Sequence, residues 1–284
     1  MIQKNTKILI TGSAGMLGRT LVKEFSNFCV TPATRQMANL TDFAQTKKLI
    51  ETVKPDIIIH AAAMTAVDNC ETQRELAYNS NVIATKNIAQ IAGEKIKTIA
   101  ISTDYVFDGS KTTPYYEADA TNPINYYGYT KLEAEKILAQ YCPNHLIART
   151  SWLYGHGGPS FFHTMRRLAK SSNQINVVAD QIGCPTTTKA LAQYISLCIE
   201  KDLRGIVHLS CSGQTSWHGF ATEIFNLLNH DIKISPIKTA QYPTPAKRPA
   251  YSVLESNTLK KLTIPPMPKW QDALSDFISS ETLK

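Results

Sequence analysis

The sequence predicts an α/β fold, a doubly wound parallel sheet followed by a smaller, loop-rich C-terminal lobe. Three observations carry this. Five short apolar runs alternate with amphipathic stretches over residues 7–149, and a glycine-rich turn joins the first run to the first amphipathic stretch. Beyond Arg149 the rhythm breaks, and seven of the 14 prolines fall within 236–268. Alternation of apolar strands with helices calls for a parallel sheet covered on both faces, the Rossmann-type arrangement.

Taken in order, KILIT (7–11), CVTPA (29–33), DIIIH (56–60), TIAIS (98–102) and HLIAR (145–149) are expected as buried parallel strands. Helices are expected at 16–26, 42–53, 75–94 and 126–141. In the last of these Tyr126, Tyr127, Thr130, Ala134, Ile137, Leu138 and Tyr141 recur at helical spacing. The loop YGHGG (154–158) precedes a helix near 160–170, and further helices are expected at 187–201, 217–228 and 270–278, with a strand at 206–210. The expected division is a nucleotide-binding core over 1–150, with 175–210 returning to it, and a mainly substrate-binding lobe over 151–284.

A chain of 284 residues, 43% hydrophobic and 19% charged, is long enough to bury a core and too apolar for disorder. Its longest apolar runs, such as 57–63, fall far short of the roughly 20 residues of a membrane span. The opening MIQKNTKILITG leads into a strand-sized run rather than the apolar region of a signal peptide, so a cytoplasmic location with no membrane contact is expected. Cys29, Cys70, Cys142, Cys184, Cys198 and Cys211 are scattered without C-x-x-C or nearby His, as expected of reduced structural thiols. The net charge of +7 comes without a concentrated basic run or a basic stripe with aromatics. That argues against nucleic acid and suits a small polyanion such as a nucleotide diphosphate.

The first strand runs directly into Gly12-Ser13-Ala14-Gly15-Met16-Leu17-Gly18, a G-x-x-G-x-x-G element opening a helix. The first glycine permits the tight turn, the second lets a pyrophosphate approach, and the third lets helix and strand pack. The helix start then offers free N–H groups and the positive end of its dipole. Around the end of the second strand an NAD-specific protein carries an acid for the ribose 2′-hydroxyl. This chain has Ala33-Thr34-Arg35 instead. An arginine there pairs with a 2′-phosphate, so NADPH is the expected cofactor and NADH a secondary one. Asp42 lies too far along and fits a helix cap.

Tyr127 and Lys131 stand at i and i+4 of the 126–141 helix, on one face. A nearby ammonium is expected to lower the phenol's pKa from about 10 towards a useful range, and the same lysine can hold ribose hydroxyls. Ser102-Thr103-Asp104 ends the fourth strand, at the edge where open α/β sheets bind ligands. A hydroxyl there can polarise a ketone that Tyr127 protonates while hydride arrives from the other side.

This set resembles the extended short-chain dehydrogenase/reductase family over essentially the whole chain. Within it, HAAAMTAVDNCE (60–71), STDYVFDG (102–109), NYYGYTKLEAE (125–135), RTSWLYG (149–155), ADQIGCPT (179–186) and RPAYSVL (248–254) resemble the dTDP-4-dehydrorhamnose reductases. The resemblance implies reduction of the 4-keto group of dTDP-4-dehydro-β-L-rhamnose, a dTDP-4-keto-6-deoxyhexose, to dTDP-L-rhamnose for surface polysaccharide. It implies Tyr127 as proton donor, Lys131 as its partner, and Thr103 as the hydroxyl that assists the tyrosine and contacts the sugar. Asp104, Trp152 and Arg248 are implied on the substrate side. Asn81 is implied to support the lysine through water, and Ala61, Ala62, Ala63 and Thr65 to line the adenosine and ribose side. Asn39-Leu40 stands where many relatives have Asp-Ile or Asp-Leu near the adenine; Asn can still accept a hydrogen bond, so weakened recognition is expected. Some members dimerise around Mg²⁺ held partly by a Glu two residues past the third glycine. Thr20 occupies that position, so no metal is expected, with a monomer or homodimer as the assembly.

Two further readings share these residues. Another nucleotide-sugar 4-ketoreductase would keep the chemistry and yield a different deoxysugar, such as a 6-deoxytalose nucleotide. A non-catalytic regulatory subunit, resembling that of methionine adenosyltransferase, would keep the dinucleotide fold. The intact Trp152 and ADQIGCPT block argue against the latter.

Overall fold

The computed structural model of the chain describes residues 3–282. Its first half comprises β1 (Lys7–Thr11), α1 (Met16–Glu24), β2 (Cys29–Ala33), α2 (Phe43–Val53), β3 (Ile57–His60), α3 (Val67–Thr72), α4 (Arg74–Tyr78), a π turn (Asn79–Ile83), α5 (Ala84–Ala92), β4 (Lys97–Thr103), α6 (Tyr126–Tyr141) and β5 (His145–Thr150). Then follow β6 (Leu153–Tyr154), α7 (Phe161–Leu168), β7 (Gln174–Val178), β8 (Ile182–Gly183), β9 (Thr186–Thr187) and α8 (Thr188–Glu200). The chain continues through β10 (Gly205–His208), β11 (Thr215–Ser216), α9 (Trp217–Leu227), β12 (Lys233–Ile237), α10 (Asn257–Lys261) and α11 (Trp270–Thr282).

Six strands form one parallel sheet in the order β10-β5-β4-β3-β1-β2. From β2 the chain crosses through α2 to β3 on the other side of β1, so the order reverses between β1 and β3. A crevice opens there at the carboxyl ends of the strands, the place where such sheets bind ligands. Strand side chains alternate between two apolar layers. Ile8, Ile10, Ile57, Ile59 and Leu146 pack with α1 and α8 through Leu17, Leu21, Leu191 and Ile195. Leu9, Ile58, Ala100 and Ile147 pack with α2, α5 and α6 through Leu49, Ile88 and Leu138. Burial on both faces is why these strands appear as unbroken apolar runs.

Three expectations are corrected. β2 is an edge strand with a largely exposed or half-buried pattern, not a buried one, and that position tolerates Pro32, whose missing N–H would interrupt a central ladder. The single helix expected over 75–94 is broken into α4, the π turn and α5, preceded by α3. Of the 175–210 segment, α8 and β10 return to the core, whereas β7 pairs in parallel with β12 outside it. The apolar layer on the α1/α8 face continues into the lobe, where Tyr154, Phe162, Phe220 and Phe277 cluster. Among the described residues, no helix is long and apolar enough to cross a membrane.

Candidate active site

The chain leaves β1 at Gly12, whose φ of 67° lies in the left-handed region, and a Cβ there would stand 2.7 Å from the Ala62 backbone. Ser13 ties the turn to the end of β2, donating to the Ala33 carbonyl through its N–H (3.2 Å) and its hydroxyl (3.0 Å). α1 starts at Gly15 with no side-chain cap, so no side chain competes for its first N–H groups. Beside this turn runs a trough of about 470 Å³ bordered by Ala33, Arg35, Asn39, Leu40, Ala62 and Ala63. Arg35 is exposed on it, at the end of β2. Asn39 borders the trough, but its Oδ1 accepts from the Thr41 N–H (3.3 Å) and hydroxyl (3.0 Å). That acceptor shapes the turn into α2, where Asp42 caps Gln45 (3.0 Å).

A second cavity of about 370 Å³ meets the first at Gly12, Ala62 and Ala63. It is bordered by Gly15, Met16, Leu17 and Gly18, by Ala61 and Thr65, and by Thr103, Asp104, Tyr127, Lys131 and Trp152. α6 is capped by Asn125, whose Oδ1 accepts from the Gly128 N–H (2.8 Å) and whose Nδ2 donates to the Lys247 carbonyl (2.8 Å). A Cβ on Gly128 would lie 2.0 Å from the Tyr105 carbonyl. This close approach seats α6 on the turn after β4 and brings Tyr127 to Thr103.

The Tyr127 phenol and the Thr103 hydroxyl border the same cavity, and the hydroxyl favours the ionised form of the phenol. Thr103 donates to Asp104 Oδ1 (2.9 Å), and Tyr105 meets Tyr127 edge-on at 6.0 Å. The net lowering of the phenol pKa expected from Lys131 does not occur. Burial, reinforced by the Asp104 charge, pushes it well above its ordinary value, with Thr103 opposing. Burial brings the Lys131 ammonium down to about 8, opposed by Glu135 one turn on. Burial also raises Asp104 to about 7, opposed by the Ser252 and Thr103 hydroxyls. His60, bracketed by Thr11 (2.7 Å) and Thr85 (3.2 Å), is held neutral by burial and the Lys131 charge, at about 3. Glu135 accepts from Ser102 (2.5 Å) and from Arg149 Nε (2.9 Å) and Nη2 (2.6 Å), all buried.

Trp152 borders the same cavity, with a left-handed backbone (φ 45°) that costs a non-glycine residue roughly 1–3 kcal/mol. Two expected contacts lie elsewhere. Arg248 borders neither cavity. It grips Asp68 in a fork (3.0 and 2.8 Å) and also donates to Thr244 and Ala246, tying the 244–248 segment to α3. Asn81 also borders neither cavity. The π turn aims it at the loop after β3, where it accepts from the Met64 N–H (2.7 Å) and donates to the Met64 carbonyl (3.1 Å) and Thr130 (2.9 Å). Thr20 is bonded to Met16 and Thr188. Among the described residues no group of three or more His, Cys, Asp or Glu could hold a metal ion.

Sequence reasoning missed His60, Tyr105, Glu135 and Trp217. Glu135 carried a usable signal, standing four residues after Lys131 as Lys131 stands after Tyr127. Trp217 carried none, because it reaches the cavity from a separate lobe.

The chain matches the family described as RmlD substrate binding domain over residues 6–283. It is 42% identical to a dTDP-4-dehydrorhamnose reductase of Sinorhizobium fredii over 236 residues, covering 79% of this chain and 80% of the relative. The crystal structure of a dTDP-4-dehydrorhamnose reductase from Clostridium acetobutylicum superposes with a TM-score of 0.95 at 41% identity, covering 98% of this chain and 100% of that one. The Bacillus anthracis enzyme of the same name, in complex with NADP, superposes at 0.95 with 36% identity over 97% and 99% of the two chains. With the tyrosine, lysine and threonine gathered on one cavity and these likenesses running nearly end to end, the chain belongs to the dTDP-4-dehydrorhamnose reductase family.

Proposed function

We propose that this chain reduces the 4-keto group of dTDP-4-dehydro-β-L-rhamnose to dTDP-L-rhamnose with NADPH. The observation that carries the reading is that Tyr127, Lys131 and Thr103 border one cavity, which meets the trough bordered by Arg35 at Gly12, Ala62 and Ala63. The trough fits a dinucleotide: the Gly12 backbone leaves no room for a side chain, α1 presents an uncapped start, and Arg35 offers a cation where a 2′-phosphate would lie. NADPH, when bound, supplies the hydride that reaches the C4 carbon of the sugar.

Tyr127 gives its phenolic proton to the C4 oxygen, converting ketone to alcohol. Burial keeps that proton in place at neutral pH. Thr103, whose hydroxyl proton lies on Asp104 Oδ1 in this structure, turns that proton to the carbonyl oxygen when the ketone is bound beside the phenol. Lys131, an ammonium below about pH 8, stabilises the phenolate left behind and reaches ribose hydroxyls. Residues 1–150 with α8 and β10 form the cofactor core, and the remainder forms the substrate lobe. The enzyme works in the cytoplasm as a monomer or homodimer. NADPH oxidation by the purified chain with the 4-keto sugar nucleotide, followed by NMR of the product, tests the reading. No oxidation, or a C4 epimer of rhamnose as product, would overturn it.

A further inference from the structure

We propose that Trp217 is a specificity-determining residue, which with Trp152 forms a two-layer aromatic wall receiving the deoxygenated edge of the sugar. The proposal rests on the nucleotide-sugar reading above and goes beyond it. Trp217 opens α9, fixed by Ser216, whose hydroxyl accepts from the Gly219 N–H (3.0 Å). Its ring lies parallel to that of Trp152, with centroids 3.5 Å apart and planes within 5°. Phe161 packs against Trp217 at 4.6 Å. Trp217 and Trp152 border the 370 Å³ cavity together with Leu153 and Pro159.

The indole N–H of Trp217 is already committed. It donates to Gln181 Oε1 (3.1 Å), and the buried Gln181 is itself anchored through Nε2 to Thr239 (3.1 Å). Trp217 therefore presents carbon to the cavity. Thr103, Asp104, Tyr105 and Tyr127 bring the polar groups on the β4 and α6 side. The cavity is thus polar where a carbonyl must be held and aromatic where Trp152 and Trp217 stand.

A 6-deoxy-4-keto sugar has the same asymmetry, a C6 methyl two carbons from the reacting carbonyl. With C4 at Tyr127, the methyl faces the aromatic wall. A C6 hydroxyl placed there would lose its water and gain no partner from Trp217. Apolar pockets reject an added hydroxyl only moderately, by about 100-fold at most. Trp217 also acts through its neighbour, because the stack holds the Trp152 ring where its left-handed backbone alone would not.

The test compares kcat/KM for the 6-deoxy-4-keto dTDP-sugar and its 6-hydroxy counterpart in wild type, Trp217→Ala and Trp217→Phe. Near-UV circular dichroism reads the indole stack independently. Wild type should favour the 6-deoxy sugar by about 10- to 100-fold. Trp217→Ala should lose the coupled indole signal, lose roughly tenfold in kcat/KM for the 6-deoxy sugar mainly through KM, and discriminate only a few-fold, with KM for NADPH within about twofold. Trp217→Phe, which keeps an aromatic face, should fall between and carries the test if the alanine variant does not fold. Unchanged discrimination in a folded variant, or none in wild type, would overturn the proposal. Should wild type turn over neither sugar, the functional reading fails separately. The wall is then judged by tryptophan fluorescence titration with dTDP-L-rhamnose against dTDP-glucose, where equal affinities would overturn it.

Discussion

Tyr127 and Lys131 share a face of α6, and their spacing is legible in the sequence alone, as is Thr103 at the end of β4. The direction in which the site moves the tyrosine is not legible there, because it depends on burial and on the charge of Asp104. A buried phenol with a raised pKa is fully protonated at neutral pH, which suits proton donation in the reductive direction. Tyr127→Phe should therefore lower kcat by about 10²- to 10⁴-fold while leaving NADPH affinity within about twofold; a kcat within threefold of wild type would remove Tyr127 from the role. The pH profile follows from its two neighbours. Between pH 6 and 9 Asp104, at about 7, acquires a negative charge, and Lys131, at about 8, loses a positive one. Both changes disfavour the phenolate that proton donation creates, so kcat/KM for the sugar nucleotide should fall in two steps over this range. His60, at about 3, stays neutral throughout. Asp104→Asn should remove the step near 7 and keep the one near 8; an unaltered profile would show that this carboxyl does not act on Tyr127.

Elements carry the next level of the argument. The β1–turn–α1 unit was readable because each glycine in it answers a backbone constraint, and the same unit directs the trough towards Arg35 at the end of β2. A charge-assisted pair with a 2′-phosphate contributes about 1.5–3 kcal/mol, less with exposure and salt. Arg35→Ala should raise KM for NADPH about tenfold and leave that for NADH nearly unchanged, since NADH has no phosphate to lose. Equal losses with both cofactors would assign Arg35 to the fold. The joint between α6 and β5 was hidden, because apolar periodicity does not register a buried charge. There Glu135 and Arg149, with side chains 6% and 3% exposed, form a forked pair that also holds Ser102. Glu135→Gln leaves a buried guanidinium without its counter-charge and should cost about 3–5 kcal/mol, a fall in melting temperature of roughly 10 °C. Thermal denaturation checks this, and a fall of under two degrees would contradict it.

At the scale of the whole molecule, legibility follows how burial is organised. In the core both faces of the sheet are covered, so strands appear as apolar runs and helices as amphipathic stretches. Beyond β5 the chain is stitched together by strands of two to five residues whose partners lie far along the chain, as with β8 and β11 or β7 and β12, and local periodicity is silent about them. The Asp68–Arg248 fork is such a long-range contact. It joins α3, whose first residue Val67 borders the reaction cavity, to the 244–248 segment, whose Lys247 carbonyl also receives Asn125 at the start of α6. The pair is partly exposed, with side chains 37% and 21% accessible, so its own contribution to stability is small, under about 1 kcal/mol. Its effect should instead appear at the cavity that Val67 borders. Arg248→Gln is expected to lower the melting temperature by no more than about 3 °C and to raise KM for the sugar nucleotide roughly two- to fivefold, the equivalent of a pair worth about 0.5–1 kcal/mol. KM for NADPH should stay put, because neither Asp68 nor Arg248 borders the trough. Moderate salt should weaken wild-type sugar binding in the same direction and change the variant less. A parallel rise in both KM values would mean that the fork supports the core as a whole rather than the sugar side of the cavity.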